Sequence, residues 1–137
     1  MSTEPGFPDV HATVEPLLAV TDLSRSLTFW QDHMGGLPLM RWDSYALLQL
    51  GAGRLHLAVT GDPPEDRAVR LVAPGRAETE ATGEVVLRVA DCASIVSQLE
   101  QRGVQFLGPL ARPAWGGEVR AFLHDPDGHL VEISSIT

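Results

Sequence analysis

The chain carries one pattern twice. The run Glu15-Pro-Leu-Leu-Ala-Val-Thr-Asp22, followed by residues at helical spacing, returns 69 residues later as Glu84-Val-Val-Leu-Arg-Val-Ala-Asp91, again followed by helical spacing. Glu15 aligns with Glu84, Leu18 with Leu87, Val20 with Val89 and Asp22 with Asp91, while Leu27/Val96 and Trp30/Leu99 stay apolar at the same offset. A solenoid needs three or more repeats to bury a continuous core, so one repetition in 137 residues implies a duplicated supersecondary unit instead. Each copy then contributes one wall of a shared cleft, and the side chains pointing into it decide the function.

Residues 1 to 12, rich in Pro, Gly and small polar residues, read as a loose arm. Alternation from 14 to 20 places Glu15, Leu17 and Ala19 on one strand face and Val14, Leu18 and Val20 on the other, with Pro16 suited to a strand start or edge. A helix is expected next. Thr21, Asp22 and Ser24 are its capping candidates, Leu23, Leu27, Trp30 and Met34 its inward stripe, and Gly35-Gly36 its stop. Strands at 39 to 42, 45 to 50 and 54 to 60 complete a first module over 13 to 60. Residues 61 to 82, with Pro63, Pro64, Pro74 and Gly75, read as a linker or a flap over the cleft.

The second module, 83 to 136, repeats the plan: a strand at 84 to 89 and a helix at 91 to 102 closed by Gly103. Strands follow at 104 to 107, 118 to 124 and 130 to 135, with Asp125-Pro-Asp-Gly128 as the turn before the last. The expected fold is α+β, a single domain over 1 to 137 in which two paired βαβββ modules form cup-shaped mixed sheets.

Composition narrows the function classes. With 44% hydrophobic residues the chain buries a core without staples, and a lone Cys92 forbids an internal disulfide, which favours a reducing cytoplasm. No run approaches the roughly 20 apolar residues of a membrane span, and the N-terminus lacks a signal-like pattern, so neither a membrane partner nor export is expected. Net charge is −8 and all 10 basic residues are arginine; such a surface repels a phosphate backbone, so no nucleic-acid partner is expected.

The segment Val20-Thr-Asp-Leu-Ser-Arg-Ser-Leu-Thr-Phe-Trp30 and the terminal Asp125-Pro-Asp-Gly-His-Leu-Val-Glu132, set on a duplicated βαβββ plan, resemble the vicinal oxygen chelate superfamily over about residues 13 to 136. That superfamily comprises glyoxalase I, the extradiol dioxygenases, fosfomycin-resistance enzymes and bleomycin-resistance proteins. Its metal-dependent members take one ligand from the first and one from the last strand of each module. The resemblance places these on Glu15, His56, Glu84 and Glu132, of which Glu132 matches the usual glutamate while Glu15 and Glu84 stand where glyoxalase-like enzymes usually carry histidine. Such a set implies one divalent transition metal per cleft and a lyase, isomerase, thiol transferase or dioxygenase. Without a metal, the three glutamates repel one another unless arginines such as Arg88 and Arg120 answer them.

Phe29-Trp30 and Pro113-Ala-Trp115-Gly-Gly-Glu118 look more like the bleomycin-resistance binders. The leading expectation from this likeness is a cofactor-free homodimer that sequesters an aromatic or peptide antibiotic without converting it. Its ligand-binding residues are expected to be Trp42, Tyr45, His56, Arg88, Trp115, Arg120, Phe122 and His124, with Trp115 as a stacking plate at the cleft mouth. Trp30 falls on the helix's inward stripe and is expected in the core, Cys92 is expected to pack, and His11, His33 and His129 are expected in solvent.

Overall fold

The computed structural model describes residues 6–75 and 79–137. The first module runs β1 (Leu17–Val20), α1 (Leu23–Leu27), a π-helical turn (Thr28–His33), β2 (Leu37–Arg41), β3 (Tyr45–Leu50) and β4 (Gly53–Val59). The second runs β5 (Val85–Arg88), α2 (Cys92–Gln101), β6 (Glu118–His124) and β7 (Leu130–Ile136). Sheet order is β1-β4-β3-β2 in one module and β5-β7-β6 in the other, and in both the first strand pairs in parallel with the last.

The repeated aspartate has a structural cause. Asp22 and Asp91 are the N-caps of α1 and α2, their carboxylates accepting the backbone N–H of Arg25 at 3.1 Å and of Ser94 at 3.2 Å. Each cap satisfies an orphan donor where strand turns into helix, so the motif starts both helices at the same point. After α1 the first helix widens: Met34 N–H reaches back five residues to the Phe29 carbonyl at 2.9 Å. Within that turn Trp30 is fully buried, as its place on the stripe predicts.

Two expected strands are corrected. Residues 104 to 107 form no strand. The chain only touches β6 there, through Leu107 N–H to the Phe122 carbonyl at 2.8 Å and a reciprocal bridge between Ala111 and Arg120 at 3.0 Å. Gly108 and Pro109 lie between these two points, and a proline has no N–H to continue a ladder. The first strand begins at Leu17 and not at 14: Val14 is wholly exposed, and the Pro16 carbonyl takes the ladder's first bond, from His56 N–H at 3.0 Å.

Both helices pack on one face of their sheets and share one core, built from Leu18, Val20, Trp30, Leu48 and Leu57 on one side and Val96, Leu123, Val131 and Ile133 on the other. Cys92 is buried as expected, its thiol donating to the Ile133 carbonyl at 3.3 Å. No helix among the described residues is long and apolar enough to cross a membrane.

The modules are tied by the turn between β6 and β7. Asp127 Oδ1 accepts from Thr21 N–H at 3.2 Å, Thr21 Oγ1 at 2.6 Å and Arg25 Nη2 at 3.2 Å. Asp125 takes the indole N–H of Trp30 on Oδ2 at 3.3 Å and the backbone N–H groups of Asp127 and His129 on Oδ1. His129, expected in solvent, is instead half-buried with Nε2 2.7 Å from the Ala19 carbonyl, because the turn lays it along the free edge of β1. Gly128 has φ +90°, and a Cβ there would sit 2.6 Å from the Gly75 carbonyl, so only glycine lets the linker pass.

Hydrogen bonds to a buried charge contribute roughly 1.5–3 kcal/mol each and are not additive. Asp127→Ala is therefore expected to lower the unfolding free energy by about 2–4 kcal/mol in urea titration. A loss below about 0.5 kcal/mol would show that the turn does not hold the modules together.

Candidate functional site

Each sheet has one face on the core and one open face. On the first sheet, alternation buries Leu55 and Leu57 and turns His56 outward, beside Leu17 on β1 and Leu47 on β3. Tyr45 stands diagonally across from His56, within reach of a long side chain. Their pairing is tight: the Tyr45 hydroxyl bonds His56 Nδ1, and His56 Nε2 lies 2.7 Å from Glu15 Oε1. Burial and the Glu15 charge raise the Tyr45 pKa, so the phenol keeps its proton and donates it to Nδ1. The hydrogen bonds from His56 and Thr13 hold the Glu15 pKa below the usual carboxylate value, so Glu15 is the ionised acceptor of Nε2–H. The imidazole tautomer is thus set from both sides.

The open face of the second sheet carries Val86 and Arg88 on β5, Glu132 and Ser134 on β7, and Arg120 and Phe122 on β6. Arg120 is layered between two rings, its guanidinium carbon 4.7 Å from the Trp115 centroid and 5.1 Å from that of Phe122. Arg120 also lies 3.9 Å from Glu132, and Arg88 lies 3.8 Å from Glu118. Glu84, just before β5, lies beside Glu132. Desolvation in this corner, then the hydrogen bond to Glu132 and the repulsion of its carboxylate, raise the Glu84 pKa to about 7, with Arg120 opposing. Glu84 is itself exposed, so the buried Glu132 beside it, 4% accessible, is the stronger reason for the shift.

The four family positions do not converge within one chain. They divide into Glu15 with His56 on one face and Glu84 with Glu132 on the other, and no three His, Cys, Asp or Glu side chains among the described residues form a group able to hold a metal ion. Both ring nitrogens of His56 are already engaged, so a metal would need the other pair from a second chain and a broken bond at His56. Arg88 and Arg120 answer carboxylates as expected, but Arg88 pairs with Glu118 and not with Glu84. Trp42 and Trp115 are exposed, at 67% and 70%, on the open faces of different sheets. His124 departs from the predicted set: it lines a separate depression with Phe29, His33, Phe106 and Leu107. Glu118 and Ser134 were not singled out in sequence, because only the pairing of β5, β7 and β6 places them beside the arginines.

A depression of about 720 Å³ lies at the seam of β1 and β5, walled by Val72, Pro74 and Glu80 of the linker and by Leu17, Glu84 and Leu130. The linker therefore covers this seam, while the aromatic stack of the second sheet stays outside the depression's lining.

A fold of two such modules, with polar pairs on the open faces, defines a class that is also evident by comparison. The chain belongs to the Glyoxalase/Bleomycin resistance protein/Dioxygenase superfamily, whose description matches residues 10–133. It is 28% identical over 120 residues to the virulence protein STM3117 of Salmonella typhimurium, covering 86% of this chain and 79% of that protein. Among solved structures, a glyoxalase/bleomycin resistance protein/dioxygenase from Nocardioides superposes with a TM-score of 0.76 at 19% identity, over 95% of this chain and 87% of the other. Lactoylglutathione lyase from Agrobacterium tumefaciens superposes with a TM-score of 0.68 at 17% identity, over 91% and 93%. At such identities the superpositions establish the fold alone.

The raised Glu84 pKa gives a pH signature. The Glu84 pKa rises from 4.5 unfolded to about 7 folded, so the folded state holds the extra proton. Its contribution to stability is complete below pH 4.5 and is lost as pH rises through about 7. Glu84→Gln should remove that slope from stability measured between these pH values; an unchanged slope would mean that Glu84 is not the titrating group.

Proposed function

We propose that the protein binds and sequesters a planar aromatic or peptide natural product, in the manner of the antibiotic-binding members of its superfamily, without converting it. The observation that carries this reading is the layered Trp115, Arg120 and Phe122. One face of Trp115 is backed by a guanidinium while 70% of the residue remains open to solvent. A plate held in this way takes a flat ligand at little further entropic cost. Protection follows from mass action, since bound ligand cannot reach its target.

The cleft is completed by a second copy. A single chain leaves Leu37, Met40 and Trp42 open on the first sheet, and Val86, Trp115 and Ile136 open on the second. Apolar residues gathered in this way mark an interaction surface, and a two-fold dimer that sets one copy's first-sheet face against the other's second-sheet face buries both. Tyr45 and His56 then oppose the aromatic plate and offer polar contacts to the ligand's rim. This reading places the protein in the cytoplasm with no cofactor, and with neither nucleic acid nor membrane as partner.

One observation favours a second reading. The pairs Glu15/His56 and Glu84/Glu132 stand on the two faces that such a dimer brings together, and these four residues would hold a divalent transition metal. The ion would supply Lewis acidity for a lyase, isomerase, thiol transferase or dioxygenase.

Trp115→Ala should weaken a flat aromatic antibiotic about tenfold, as read by calorimetry, because stacking on one aromatic side chain contributes roughly 1–3 kcal/mol. Light scattering should give the mass of two chains. Elemental analysis that finds one transition metal per chain, with turnover lost in His56→Ala, would replace this reading with the second.

A further inference from the structure

Across the open face of the second sheet, three residues form one row: Arg88 pairs with Ser134, and Ser134 pairs with Arg120. Two strand spacings separate the outer pair by about 10 Å, a gap that two arginine side chains span from either side. Three features of this row are unexplained by the fold. The ion pairs Arg88–Glu118 at 3.8 Å and Arg120–Glu132 at 3.9 Å lie beyond hydrogen-bond reach, so they neutralise charge without using the guanidinium N–H groups. No other acceptor among the described residues takes up those groups. The Ser134 hydroxyl between them is fully buried and has no hydrogen-bond partner.

A buried hydroxyl without a partner costs about 1–3 kcal/mol, and two rigid forks of unused donors around it point to a missing acceptor. Glu132 does not fill this role. It stands one row away, between Val86 and Phe122 and beside Glu84. Both arginine side chains are partly exposed, at 45% and 27%, so an acceptor from outside the chain can reach them.

We propose that Arg88, Arg120 and Ser134 form an oxyanion subsite, and that the sequestered ligand is an aromatic acid with its carboxylate on a short flexible arm, which reaches this row while the ring lies on the open face of Trp115. The inference rests on the sequestration reading and names its ligand class. A carboxylate fits better than a phosphate. The planar guanidinium fork matches its two oxygens, whereas a doubly charged group is repelled more strongly by Glu118, Glu132 and a chain of net charge −8. Ser134 forms the floor of the subsite, between the two arginines in the row. Arg120 serves twice, as the backing of the aromatic plate and as one jaw of the clamp.

A matched pair of probes tests this: 3-(naphthalen-2-yl)propanoate and its neutral carboxamide, titrated into the full chain by calorimetry at neutral pH and low salt. The wild type is expected to prefer the carboxylate by about tenfold, the effect of one charge-assisted hydrogen-bond set. Arg88→Gln, an exposed change on an edge strand, should cut that preference to below about twofold, and Arg88→Lys should restore only part of it. Equal affinity of the wild type for both probes, with Trp115→Ala weakening both, overturns the subsite and leaves sequestration standing. A preference that survives in Arg88→Gln also overturns it, and binding of neither probe overturns both proposals.

Discussion

The arrangement of this molecule depends on one carboxylate. Asp127 sits in the turn before the last strand, yet every side-chain bond it accepts comes from the β1–α1 junction about a hundred residues earlier. Asp125 adds the indole of Trp30, the largest side chain in the core, and His129 adds the edge of β1. Polar groups buried in this way specify a single arrangement, because any slip leaves a charge without its donors. Two half-size modules, each with only a few strands, are thereby held in one register. The direction in which each sheet's open face points follows from that.

The open faces differ in how they manage charge. On the first sheet a tyrosine, a histidine and a glutamate settle into a closed chain in which every donor has an acceptor. On the second, two glutamates lie side by side, while two arginines sit near carboxylates without bonding to them. A satisfied network is rigid and leaves fewer donors free. An unsatisfied one retains binding capacity, which is why the second face is the one expected to recognise a ligand. The aromatic layers around Arg120 belong to the same face, so apolar contact and charge recognition lie within one side-chain length of each other.

Much of the fold could be read directly from the chain. The duplicated Glu-to-Asp run marked both first strands and both helix starts, because strand alternation and N-capping are local rules. The buried Trp30 followed from helical periodicity. The expected strand at 104 to 107 failed because an edge segment needs a partner along its length, and Pro109 with Gly108 allowed only two contacts. His129 failed for a different reason: its partner is a backbone carbonyl of β1, and no local pattern in sequence shows it.

The sequence by itself determined the duplicated architecture, the two helix caps, the inward and outward faces of each strand, and the side chains available for a site. These depend on the 2.0 and 3.6 residue periods and on the chemistry of single residues, which act within a few positions. Tertiary structure alone decided how those side chains combine. It divided the four family positions two and two, sent His124 to another depression, and set Ser134 between two arginines. Strand register and module docking make those choices through contacts between residues far apart in the chain, where local pattern carries no information.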